Sequence, residues 1–180
     1  MLLTDSCWIN DNRNPGMSRG ELESKLKAQL GVEKVIRLPG VRGRDVTDCH
    51  IDGSIRVVRP GFPMSSGNPG DISEWGRVLA ESKSILSNET DARGRTFEIV
   101  EVPSAVNVRS TRANILTSHA NFYVGNGAVD TPDFGDSIAD ANAVEMLGKL
   151  FPGRRIVSLN VDRIYENGGG IHCVTQQEPA

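Results

Sequence analysis

A chain of 180 residues with 20 Lys+Arg, 23 Asp+Glu and 38% hydrophobic residues has enough length and apolar content to bury one core without disulfides or a structural metal. Its basic residues are scattered and outnumbered, which argues against a phosphate-backbone binder, so nucleic acid is not an expected partner. No apolar run is long enough to cross a bilayer, and Met1-Leu2-Leu3 meets Asp5 too soon for a signal-peptide core; no membrane association and a cytoplasmic location are expected.

The first element is a helix. Ser18-Arg19-Gly20-Glu21 has the form of a capping box, Leu22, Leu26 and Leu30 follow at four-residue spacing, and Gly31 is placed to cap the far end. Glu33 to Leu38 reads as a strand stopped by Pro39-Gly40, and His50 to Arg59 as another. Pro60 to Asp71 reads as a loop. Ser73 then opens a second helix whose Trp75, Val78, Leu79, Ser82, Ile85 and Leu86 share one face, with a strand at Thr96 to Val102. Pro103 to Thr117 is a long loop. A strand at His119 to Val124 enters a hairpin turn at Asn126-Gly127 and leaves through Ala128-Val129. A third helix starts near Ser137, with Ala141, Val144, Leu147 and Phe151 on its stripe. It breaks at Pro152-Gly153 before the strand Arg155 to Leu159, and Ile171 to Thr175 is the last strand candidate. The three helix starts are spaced by 55 and 64 residues, which suggests αβ modules arranged around an axis; an ordinary α/β sandwich is the alternative.

Reactive residues concentrate in two places. In Thr47-Asp48-Cys49-His50-Ile51-Asp52, a strand would project His50 and Asp52 from one face, so that a base and a carboxylate address one ligand; a solvated sheet edge is the plainer reading. In Asn167-Gly168-Gly169-Gly170-Ile171-His172-Cys173, three glycines let the backbone approach a ligand closely just before a thiol. On an extended segment His172 would point away from Cys173, which assigns it to packing or hydrogen bonding. Cys173 is either a nucleophile or a small buried hydrophobe. The three cysteines, Cys7, Cys49 and Cys173, are odd in number and lack Cys-x-x-Cys spacing, which fits a reducing compartment and leaves at least one free thiol. The adjacent Cys-His pairs at 49–50 and 172–173 lack the usual zinc-ligand spacing, so no metal is expected.

With these residues in view, the sequence resembles the agmatine deiminase family, related to bacterial-type peptidylarginine deiminases in the guanidino-modifying pentein superfamily. The resemblance is carried by Asn12-Arg13-Asn14-Pro15, Thr47-Asp48-Cys49-His50-Ile51-Asp52, Arg59-Pro60-Gly61, Glu89-Thr90-Asp91, Asn121-Phe122-Tyr123, Asn126-Gly127-Ala128, Phe134-Gly135-Asp136 and Gly168-Gly169-Gly170-Ile171-His172-Cys173-Val174-Thr175-Gln176-Gln177. It implies an α/β fold of pentein type, a partial αβ-propeller with about three of five modules, and one catalytic domain over residues 1–180 that lacks the N-terminal modules. It implies Cys173 as the nucleophile that forms an amidino-cysteine intermediate, His50 as general acid/base, and Asp52 as a catalytic carboxylate that binds guanidinium, with Gly170 also at the substrate. The implied reaction is hydrolysis of agmatine to N-carbamoylputrescine and ammonia in polyamine synthesis, with no metal or organic cofactor. Arginine or peptidyl-arginine is the alternative substrate.

Three departures stand out. Cys49 occupies a position where the family has glycine, Gly53 one where it often has asparagine, and Val46 one where some members place an acidic side chain. The match begins after the family's Gly-Gly-containing segment, which supplies another guanidinium-binding aspartate. That leads to a second expectation: a truncated, non-catalytic homologue or a subunit, with a homo-oligomer or a complementing N-terminal chain as its partner.

Overall fold

In the computed structural model of the chain, which describes residues 1–178, three strand–helix–strand units follow one another. The first pairs β1 (Leu2–Thr4) in parallel with β2 (Ile36–Leu38), and α1 (Asp5–Trp8) and α2 (Arg19–Leu30) lie between them in sequence. The second is a hairpin of β3 (Ile55–Arg59) and β4 (Phe62–Ser66), then α3 (Glu74–Asn88), then β5 (Val100–Val102) parallel to β4. The third repeats this order: β6 (Tyr123–Val124) antiparallel to β7 (Ala128–Pro132), then α4 (Ser137–Leu150), then β8 (Arg155–Leu159) parallel to β7. A parallel return needs a long crossover, and each unit uses its helix for it.

Local chemistry explains where the helices start and stop. The capping box forms as expected: the Glu21 backbone N–H donates to Ser18 Oγ, and the Ser18 N–H donates to the Glu21 carboxylate at 2.8 Å. Gly31 ends α2 in the left-handed conformation, φ 63°. Ser73 caps α3 through the Gly76 N–H. The third helix is capped by Asp136, one residue before the expected start, through the Ala139 N–H at 3.2 Å.

Several expectations are corrected. Leu30 is exposed, so α2 buries only Leu22 and Leu26. The buried stripe of α4 runs through Ala139, Ala143, Leu147 and Leu150, while Ala141 is exposed. The strands are shorter than read, with Glu33–Val35 outside β2 and only a Thr90–Thr96 bridge ahead of β5. The stretch read as a loop over 60–71 contains β4, whose Pro63, Met64, Ser65 and Ser66 are all buried. Pro60-Gly61 turns β3 into β4, with Gly61 at φ 85°, the conformation that the glycine of a Pro-Gly turn adopts without steric cost.

The core does not respect the unit boundaries. Ile36 and Leu38 of β2 pack with Ile55 of β3 and Leu86 of α3. Met64 of β4 and Val102 of β5 join Phe122 before β6, Val129 of β7, and Ala143, Leu147 and Leu150 of α4 in a second cluster. A third cluster, Ala105, Phe134, Ala139, Tyr165 and Ile171, fixes the segment leading to Cys173; α5 (Asp162–Tyr165) supplies its fully buried Tyr165. Among the described residues no helix is long and apolar enough to cross a membrane.

Candidate active site

Two loops deliver the reactive residues to one cleft of about 1080 Å³, whose lining includes His50, Asp52, Asn121 and Cys173. The first loop does not continue as a strand through His50 and Asp52. Instead, Ile51–Gly53 forms a 3-10 turn just before β3, and the shared strand face expected of the two side chains is absent. Asp48 and Cys49 ahead of it are both left-handed, at φ 57° and 69°. L-residues with a Cβ resist that region, so Cys49 sits where a glycine would be free of strain.

Hydrogen bonds hold this turn. Asp45 Oδ1 accepts from the backbone N–H of Thr47 and of Cys49, at 2.6 and 3.2 Å, and Asn10 Nδ2 donates to Asp48 Oδ2 at 2.6 Å. The hydroxyls of Thr4 and Ser6 donate to the carbonyls of Cys49 and Asp48 at 2.5 and 2.6 Å. Cys49 is buried, and burial pushes its thiol up to about 11.

The second loop leaves α5, runs through Gly168, Gly169 and Gly170, and ends in a 3-10 turn at His172–Val174 rather than the expected strand. Gly168 sits at φ 77°, open only to glycine without strain. A Cβ at Gly170 would lie 2.6 Å from Tyr165 Cζ and would also strike the Asn121 side chain, so this glycine lets the loop close onto both. Tyr165 Oη donates to the Asn121 carbonyl at 2.9 Å and accepts from the Ile171 N–H at 3.3 Å.

Asn121, on the stretch read as a strand before β6, is the hub of the site. Its fully buried amide donates to the Asp52 carbonyl and to Asp52 Oδ2, both at 3.1 Å, and approaches Cys173 Sγ at 3.3 Å. Cys173 Sγ lies 3.5 Å from Asp52 Oδ2, and His172 Nδ1 lies 2.5 Å from the same oxygen. His172 is therefore hydrogen bonded, one of the two roles expected of it, and its partner is a site carboxylate. His50 is half-buried in the cleft wall, its backbone N–H donating to Thr47 Oγ1 at 3.0 Å. Arg56 on β3 lies behind them, its guanidinium 4.8 Å from the Phe122 ring centroid and bonded to the Phe122 carbonyl at 2.9 Å. No spacing rule marked Asn121, Tyr165 or Arg56, because each meets the site only through tertiary packing.

The charges act on one another. Burial raises the Asp52 carboxyl, but the hydrogen bond and charge of His172, helped by Cys173 and His50, outweigh it and hold Asp52 below the usual carboxylate value. The Cys173 side chain is exposed, yet its thiol is pushed up, first by desolvation and then by the neighbouring Asp52 charge, against opposing hydrogen bonds. Among the described residues no group of three or more His, Cys, Asp or Glu side chains is placed to hold a metal ion.

The αβ fold thus presents a thiol, a carboxylate and a histidine in one cleft, the kinds of group that nucleophilic catalysis uses. The family model for Porphyromonas-type peptidyl-arginine deiminases matches residues 1–179, and the chain belongs to that family. It is 37% identical to an agmatine deiminase of Medicago truncatula over 199 residues, covering 99% of this chain and 53% of the relative. A solved agmatine deiminase of Enterococcus faecalis superposes with a TM-score of 0.89 at 27% identity, over 99% of this chain and 53% of its own length. A Microseira wollei amidinotransferase shares the fold alone, with a TM-score of 0.52 at 12% identity, covering 87% of this chain and 38% of that one. The chain spans about half the length of the curated relatives it matches.

Proposed function

We propose that this chain is the catalytic portion of an agmatine deiminase, hydrolysing agmatine to N-carbamoylputrescine and ammonia on a cytoplasmic route to putrescine. In this reading residues 1–180 form one domain, about three of the five modules of a pentein-type αβ-propeller. The repeated order of strand, helix and parallel strand supports that arrangement.

The observation that carries the reading is the meeting of Cys173 Sγ and Asp52 Oδ2 at 3.5 Å across 121 residues of sequence, with His50 in the same cleft. Without substrate, the carboxylate opposes ionisation of the thiol. A guanidinium bound to Asp52 offsets that charge and adds its own, so substrate binding itself favours the thiolate. The Cys173 thiolate then forms a bond to the guanidinium carbon. The C–N bond to the departing nitrogen breaks, protonated His50 gives up its proton, and ammonia leaves an amidino-cysteine. Neutral His50 next takes a proton from water, whose oxygen bonds to the same carbon. Collapse breaks the C–S bond, releases the carbamoyl product and restores Cys173. Gly170, expected at the substrate, is instead buried behind the cleft wall, where its missing side chain leaves room for Asn121.

Ammonia release with agmatine and with arginine, together with intact mass after acid quench, tests the proposal. Expected are turnover of agmatine, a covalent adduct on Cys173, and loss of both in Cys173→Ser. Equal turnover by Cys173→Ser, or none by the 180-residue chain on either substrate, overturns it.

A further inference from the structure

We infer that His172 is a positioning residue for Asp52: it holds one carboxylate oxygen so that the other is presented to the substrate's guanidinium. The inference rests on the deiminase reading of Asp52 and assigns a role to a neighbour of the nucleophile.

The geometry is asymmetric. Among the described residues, the side-chain hydrogen bonds reaching this carboxylate converge on Oδ2: His172 Nδ1 at 2.5 Å, Asn121 Nδ2 at 3.1 Å and Cys173 Sγ at 3.5 Å. A carboxylate left to rotate would offer either oxygen, whereas one pinned through Oδ2 offers Oδ1 in a fixed direction, and fixed direction is what aligns a bound guanidinium with a nucleophile. His172 is itself anchored by its backbone, whose N–H donates to Asn121 Oδ1 at 3.0 Å. The 3-10 turn at His172–Val174 makes the contact: on the extended strand expected from sequence, neighbouring side chains at 172 and 173 would have faced apart, and here both reach Asp52.

The electrostatics have the matching sign. The titratable or charged groups facing Asp52 are His172 and Cys173 from the glycine-loop turn, His50 from the first loop, Arg56 from β3 and Tyr165 from α5. Among the groups that lower Asp52, His172 comes first. Removing its donor leaves burial, which raises the carboxyl, so protonation of Asp52 would begin at higher pH.

The test compares His172→Phe, which keeps a ring and removes the donor, with His172→Asn, whose amide restores a donor near the same place; His172→Ala serves where the phenylalanine fails to fold. With agmatine, His172→Phe is expected to raise KM by about tenfold with kcat changed by less than about threefold, and to move the acid limb of kcat/KM upward. His172→Asn is expected to recover most of both. A residue that only supported the fold would lower stability without moving the acid limb. Independently of turnover, the Asp52 side-chain carbon is followed by NMR across the acid range, and its midpoint is expected to rise in His172→Phe and to return in His172→Asn. An unmoved midpoint overturns the inference. A moved midpoint in a chain that turns over neither agmatine nor arginine supports the pairing and defeats the deiminase reading instead.

Discussion

The two loops that feed the cleft solve the same problem by opposite means. The loop over 45–53 bends through left-handed Asp48 and Cys49, neither of them glycine, and is held there by Asp45, Asn10, Thr4 and Ser6. The loop over 166–173 bends through glycines and is held by close packing against Tyr165 and Asn121. One is strained and tied; the other is unstrained and filled. The difference teaches that a glycine can be replaced where surrounding hydrogen bonds over-determine the backbone, and not where a neighbouring side chain already occupies the space of its Cβ.

The sharpest way to break this comparison is Gly170→Ala. The added methyl enters the space of Asn121 and Tyr165, so a loss of turnover of about a hundredfold or more is expected, with destabilisation of about 1–3 kcal/mol from overpacking. Turnover and thermal melting check it; an alanine variant of normal activity would show that the loop is not packed as described. Next is Tyr165→Phe, which removes a buried donor to the Asn121 carbonyl and an acceptor for the Ile171 N–H. Leaving both partners unsatisfied is expected to cost about 1–3 kcal/mol in chemical denaturation, with activity reduced in step with the loosened Asn121. The smallest effect isolates the strain of the first loop. Cys49→Gly is expected to be more stable than Cys49→Ala by about 0.5–1 kcal/mol, the cost of a left-handed Cβ less the entropy of an added glycine. Equal melting of the two variants would remove the strain from the account.

Much of the framework was legible because its signals are local. The capping box at Ser18, the left-handed stop at Gly31, the start of α3 at Ser73, the Asn126-Gly127 hairpin and all of β8 follow from residues within a few positions of one another. β4 was hidden because Pro63, Ser65 and Ser66 carry loop-like composition, and only burial between β3 and β5 makes them a strand. The phase of the α4 stripe was off because two alanines, Ala139 and Ala143, face the core where larger residues were sought. The cleft gathers Cys173, His50 and Asp52, the residues singled out by type and resemblance, but their geometry was not legible. Periodicity describes strands, and both reactive segments fold as 3-10 turns. Asn121 stood in the sequence only as part of the Asn121-Phe122-Tyr123 match, with no role attached; a buried asparagine whose amide bridges two loops is recognisable only once both loops are in place.

The reach of the contacts at Asp52 has a kinetic consequence. Its carboxylate meets Asn121 across 69 residues of chain, His172 across 120 and Cys173 across 121. Closing such loops costs entropy that no helix or hairpin repays on its own, so these contacts are expected to form late, after all three units have packed on one another. Regain of thiol chemistry during refolding would then trail the return of helical signal, and the cleft would serve as a clock for the last step of assembly.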